Sequence, residues 1–114
     1  MPGAVFMVPN RHWGFESFAS DDHPGACVHY QASERQATLV KGTDAENVRF
    51  LRRYFFVAPT PGNGLQKHTA FELVPRYFRL HRLKLFYLER QFGRLDDATL
   101  QDLRTELARL NPEE

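Results

Sequence analysis

A mainly β fold with helical additions, built as a small antiparallel barrel and closed by a C-terminal amphipathic helix, is predicted by two features of the sequence. Short apolar runs at Ala4 to Val8, Gly25 to Tyr30, Ala37 to Val40, Tyr54 to Ala58 and Ala70 to Val74 recur between turn-forming stretches, as the strands of a half-buried sheet do. Near the end, Leu100, Leu103, Leu107 and Leu110 recur at three- and four-residue spacing, the period of one helix face. A length of 114 residues gives one domain with a single modest core. Hydrophobic content of 42%, aromatic content of 13% and ten phenylalanines exclude a disordered chain.

The elements follow in order. Ala4 to Val8 is a strand that Pro9 restricts to a sheet edge or to its own end. Asn10 to Asp22 mixes Trp13, Phe15 and Phe18 with glycine, serines and acids without helical period, and reads as a long, partly anchored loop. Gly25 to Tyr30 and Ala37 to Val40 are strands joined by the polar turn Ala32 to Gln36. Lys41-Gly42-Thr43-Asp44-Ala45-Glu46 has the form of a capping box, with Thr43 as cap and Glu46 reaching back, and predicts a short helix from about Asp44 to Arg52. Strands follow at Tyr54 to Ala58 and Ala70 to Val74. Arg76 to Phe92 alternates basic and apolar residues and fits two short strands, or a strand and a turn, better than one helix. The terminal helix has Asp96 or Asp97 to cap it and Pro112 just beyond it. Short strands with one terminal helix fit a barrel of SH3-like type.

Formal charge is only +1, so no overall cationic field steers nucleic acid. Charge is segregated, however: Arg76, Arg79, Arg82, Lys84, Arg90 and Arg94 form a basic segment, and acids dominate from Asp96 onward. The lone Cys27 lies in an apolar run and reads as a buried thiol in a reducing compartment. No apolar run approaches a spanning helix, and Met1-Pro2-Gly3 opens no charged leader, so a cytoplasmic protein without a membrane segment is expected. His12, His23, His29, His68 and His81 are scattered without ligand spacing, so neither a metal nor another cofactor is expected.

Two stretches carry candidate chemistry. Tyr54-Phe55-Phe56-Val57-Ala58-Pro59-Thr60 ends an apolar strand on a hydroxyl, and the glycine-bearing loop Pro61 to His68 leads to the returning strand Phe71-Glu72-Leu73. His23-Pro24-Gly25-Ala26-Cys27-Val28 leads from two acids through a histidine and a proline into a strand. Together they resemble the MazF/PemK (Kid-like) toxins of bacterial toxin–antitoxin systems. In that family an Arg-Pro pair opens a core strand, and a later strand ends in a Pro-Thr-like turn before a Phe-Glu-Val-like strand. Here His23-Pro24 stands where Arg-Pro would be, and Pro59-Thr60 matches the turn. Phe92-Gly93-Arg94-Leu95 matches the family's closing turn before its helix. The resemblance covers roughly residues 20 to 110 and implies the same barrel.

It also implies a metal-independent endoribonuclease that cuts single-stranded RNA through a 2′,3′-cyclic phosphate, as a homodimer neutralised by an antitoxin. His23 would replace the family arginine in acid–base work, since imidazole titrates near neutrality, and Thr60 would steady the scissile phosphate. Thr43 is a second match to the family hydroxyl by chain position, although a capping role also explains it. The two catalytic side chains are expected to face each other across a cleft roofed by the loops Asn10 to Asp22 and Pro61 to His68. RNA contacts are assigned to Arg11 and Trp13 in the first loop, Asn63, Lys67 and His68 in the second, and Arg76 and Arg79. Each has a structural alternative: turn residue for Thr60, core anchor for Trp13, solvated sheet face for the arginines. The competing reading is a nucleic-acid- or protein-binding module on the same barrel that has lost catalysis.

Overall fold

The computed structural model of the chain describes residues 2–9, 13, 22–49, 51–79 and 91–112. Among the described residues, seven strands, β1 (Ala4–Pro9), β2 (Asp22–Gln31), β3 (Gln36–Asp44), β4 (Tyr54–Val57), β5 (Thr69–Glu72), β6 (Arg76–Arg79) and β7 (Gln91–Arg94), precede one helix, α1 (Asp97–Leu110). The strands form one antiparallel sheet in the order β4-β5-β3-β2-β1-β7, with β6 also paired to β3, and it curls into a half-barrel. β1 lies between β2 and β7, and Pro9 sits at its end opposite Asp22, where the missing amide breaks no internal ladder.

β3 is longer than its apolar run suggests because two strands share its edge. Thr69 to Phe71 pair with Asp44 to Gly42, and Arg76 to Arg79 pair with Leu39 to Gln36. β5 and β6 are therefore one path along β3, interrupted by a bulge at Leu73, Val74 and Pro75. This pairing also overturns the expected helix from Asp44 to Arg52. Thr43 and Asp44 belong to β3, and Asp44, not Thr43, accepts the Glu46 amide at 3.0 Å to start a 3-10 turn over Ala45–Asn47. A second such turn covers Leu51–Arg53. Long-range pairing with β5 thus prevails over a local capping pattern.

Alternation along the strands sorts the apolar residues onto two faces. Val5, Ala26, Val28, Val40, Val57 and Phe71 pack with Leu95, Leu100, Leu103 and Leu107 on the helix face. Ala4, Phe6, Val8, Cys27, Ala37 and Leu39 pack with Trp13 and Phe78 on the other. α1 is anchored as its pattern predicts: the Asp96 carboxylate accepts the Thr99 amide at 2.7 Å, and Arg104 Nε donates to the Val28 carbonyl at 2.7 Å. Leu110, the last residue of the leucine stripe, is 39% exposed, so the buried face ends at Leu107.

The half-barrel is drawn together at β7 by a turn. Thr60 and Asn63 cap each other, the Thr60 amide donating to Asn63 Oδ1 at 3.0 Å and the Asn63 amide to Thr60 Oγ1 at 3.1 Å. The Arg94 amide then donates to the Gly62 carbonyl at 2.9 Å. A side chain at Gly93 would collide with the Asn63 carbonyl, so this close approach requires glycine. Among the described residues no helix is long and apolar enough to cross a membrane. Residues 80–90, and with them most of the expected second strand of the basic segment, lie outside the described residues, as do Arg11 and residues 14–21 of the first loop.

Candidate functional site

The structure does not bring His23 and Thr60 together. His23 pairs with Val8 on β1, so it shares the face of Phe6, Gly25 and Trp13. Thr60 borders a cleft floored by Val57 and Leu95, which belong to the helix-face core. His23 thus belongs to the Trp13 face, whereas Thr60, in the turn beyond β4, borders the helix-face core. Thr60 is a turn residue whose hydroxyl oxygen and amide both serve the pairing with Asn63. Asn63, expected to touch RNA, is 3% exposed, with its oxygen accepting the Thr60 and Leu65 amides and its nitrogen donating to the Ala58 carbonyl.

What surrounds His23 instead is a group of polar side chains on the Trp13 face. Gly25 opposes Lys41 in the β2–β3 pair. The β2–β3 ladder ends at this pair, and Thr43, two residues beyond Lys41, lies on the same face of β3. Contact between the strands continues beyond the ladder, because His23 Nδ1 lies 3.1 Å from the Gly42 carbonyl and a side chain at Gly42 would strike Pro24. A carbonyl can only accept, so this bond places the proton on Nδ1. Among the described residues no hydrogen bond occupies the Thr43 hydroxyl.

The bulge between β5 and β6 completes the group. Glu72 and Arg76 flank it, and Arg76 Nη2 approaches Glu72 Oε1 at 3.6 Å. Lys41 opposes the bulge and feels both charges. Burial holds its pKa below the ordinary lysine value, with Arg76 pushing in the same direction and Glu72 opposing. Arg76 Nη1 also donates to the Trp13 carbonyl at 3.1 Å, tying the first loop to the patch.

Trp13 is a core anchor: it is 1% exposed, donates from Nε1 to the Val8 carbonyl at 3.2 Å and packs edge-on against Phe78. Its ring also explains Gly25, where a Cβ would come within 2.9 Å of it. Of the remaining expected contacts, Lys67 is an exposed side chain 3.4 Å from Asp44, and His68 is exposed against the Phe56 ring. Arg79 is three residues from Arg76 on one strand and therefore points to the opposite face.

His23, Thr43, Lys41, Glu72 and Arg76 thus form one patch carrying a titratable imidazole, a hydroxyl and two cations with one carboxylate. Lys41 and Glu72 were not singled out in the sequence, where nothing local distinguishes them. Their signal is the interruption of β-pattern at Leu73-Val74-Pro75, which places flanking residues against one position of the neighbouring strand. Among the described residues no group of His, Cys, Asp and Glu side chains has the arrangement of a metal site. Comparison with protein-family models finds no match, and comparison with curated proteins finds none either.

Proposed function

We propose that the chain is a toxin-like endoribonuclease that cleaves single-stranded RNA without a metal, acting at the patch on the Trp13 face. The observation that carries this reading is that His23, bonded at the Gly42 carbonyl, shares the Trp13 face with Lys41 and Arg76. The histidine stands at the resembled family's arginine position, and in this reading the hydroxyl is Thr43, on the Lys41 face of β3, in place of Thr60.

The chemistry fits the groups. Nε2 of His23 takes the 2′-hydroxyl proton, the 2′-oxygen attacks phosphorus, and the bond to the 5′-oxygen breaks. The products are a 2′,3′-cyclic phosphate and a 5′-hydroxyl, the leaving oxygen taking its proton from the Lys41 ammonium. The Thr43 hydroxyl and the Arg76 guanidinium donate to phosphoryl oxygens as charge builds on them. Glu72 holds Arg76 in place. A homodimer, an antitoxin as protein partner and residence in the cytoplasm belong to the same reading.

Cleavage of a long unstructured transcript in EDTA tests it. Activity should appear, should fall about ten- to a thousandfold in His23→Ala, and should follow a neutral-pH limb that His23→Arg lacks. An inactive parent that still binds RNA through Lys41 and Arg76 would favour the binding module, the reading in which the same patch holds the phosphate backbone without cutting it. Sedimentation of a micromolar sample as monomer alone would remove the dimer.

A further inference from the structure

We propose that the seam between β4 and α1 is a docking groove for an extended peptide of a partner protein, alternating apolar and basic residues, which adds a strand to β4. β4 ends the sheet order, paired with β5 on one side. On its other side no strand pairs with it among the described residues, and the half-barrel is bridged by the turn at Gly62, whose carbonyl meets Arg94 of β7. The unbridged part of the seam is an open cleft of about 300 Å³.

One wall of the cleft is four consecutive residues, Phe55 to Ala58. Successive side chains of a strand point to opposite faces, so a wall that includes Phe55, Phe56 and Val57 of β4 takes in the strand's edge, where backbone amides and carbonyls are presented, while the Ala58 carbonyl just beyond it accepts from Asn63. The other wall is Leu95, Asp96 and the start of α1, with Thr99 and Asp102. Phe55, Val57 and Leu95 give an apolar floor continuous with the helix-face core. The charged residues in the lining, Asp96 and Asp102, are both acidic.

These features specify the occupant. The edge supplies main-chain hydrogen bonds to an added strand, the floor takes one side chain of each alternating pair, and the acidic wall takes a lysine or arginine from the other. An acidic segment is disfavoured by the same wall. The groove lies on the face opposite His23, so a peptide bound there leaves the polar patch uncovered.

The test uses the full chain and a short synthetic peptide alternating lysine and valine, followed by amide shifts and hydrogen exchange. Binding with a dissociation constant below about 1 mM should shift and protect the amides of Phe55 to Ala58 and of Leu95 to Asp102. Asp102→Lys should weaken it about tenfold or more while leaving the far-ultraviolet spectrum unchanged. Failure to bind would overturn the proposal. So would equal binding of peptides alternating glutamate with valine or lysine with glycine, or shifts confined to His23, Lys41 and Arg76. Protection of the same amides by concentration alone, without peptide, would replace the partner with a second copy of the chain.

Discussion

On the helix face, the turn from Thr60 to Asn63 commits its polar groups to its own backbone; on the Trp13 face, it is strand pairing along β2 and β3 and the β5–β6 bulge that place His23, Thr43, Lys41 and Glu72. Thr60 receives and gives a hydrogen bond within its turn, whereas Thr43 is fixed by ladder pairing that leaves its hydroxyl unoccupied among the described residues. The difference teaches where chemistry can reside in so small a fold. A turn must consume its side-chain donors and acceptors to exist, but a strand satisfies its backbone through its neighbours and leaves side chains for other work. The cost falls on the second region as desolvation: Lys41 is held partly buried as a cation, and its pKa is depressed for that reason.

The sharpest way to break this contrast is at the seam. Gly93→Ala should destabilise the protein by about 4 kcal/mol or more, because a methyl group there meets the Asn63 carbonyl and two backbones must separate. An unchanged denaturation midpoint would mean that the turn does not hold β7. Leu103→Ala should cost about 3 kcal/mol, since Leu103 is fully buried between α1 and the sheet. Neither change touches the polar patch, so RNA binding by the fraction still folded should persist.

Cys27 probes the core beneath the patch through pH. Burial pushes its thiol from 9.0 up to about 11, with the positive charges of the chain's amino terminus and Arg104 and the His29 backbone only partly opposing. The folded protein therefore keeps a proton that the unfolded chain loses above pH 9.0. Stability is full below that value and should fall as pH rises toward 11, by up to about 2–3 kcal/mol. Lys41 has the opposite sign: its folded pKa is lowered, so deprotonation relieves the native state first and stability gains as pH climbs toward 10.5. Cys27→Ala should expose that gain, and urea midpoints measured across pH 8–11 would separate the two. A falling midpoint that survives in Cys27→Ala would remove the thiol as its cause.

Much of the scaffold could be read from the sequence because its signals are local. The leucine spacing, Asp96 and Pro112 mark α1 within a residue or two, and the apolar runs mark β1, β2, β4 and β5. The site was less legible because its geometry is set by pairing between distant residues. Lys41 to Glu46 satisfies a capping pattern, and only the approach of Thr69 to Phe71 turns Thr43 and Asp44 into strand. Pro75 likewise reads as a break between two elements, whereas β5 and β6 continue along one edge of β3 on either side of it. Pro59-Thr60 looked like a rigid strand end carrying a hydroxyl; Asn63, three residues later, is what claims that hydroxyl, through a turn whose closure depends on Gly93.

The smallest effect on stability separates the two regions most directly. Thr60→Val removes the acceptor of the Asn63 amide in an exposed turn and should cost about 1 kcal/mol while leaving RNA cleavage within about twofold of the parent. Thr43→Val exchanges one β-branched residue for another in β3, so the midpoint should move by no more than about 0.5 kcal/mol. Its cleavage rate should nevertheless fall about ten- to a hundredfold, because a donor to the phosphoryl oxygens is lost. The two variants differ by one oxygen atom each, and their predicted phenotypes are crossed. If Thr60→Val loses activity at unchanged stability and Thr43→Val does not, the working hydroxyl belongs to the seam turn, and the assignment of chemistry to the Trp13 face is wrong.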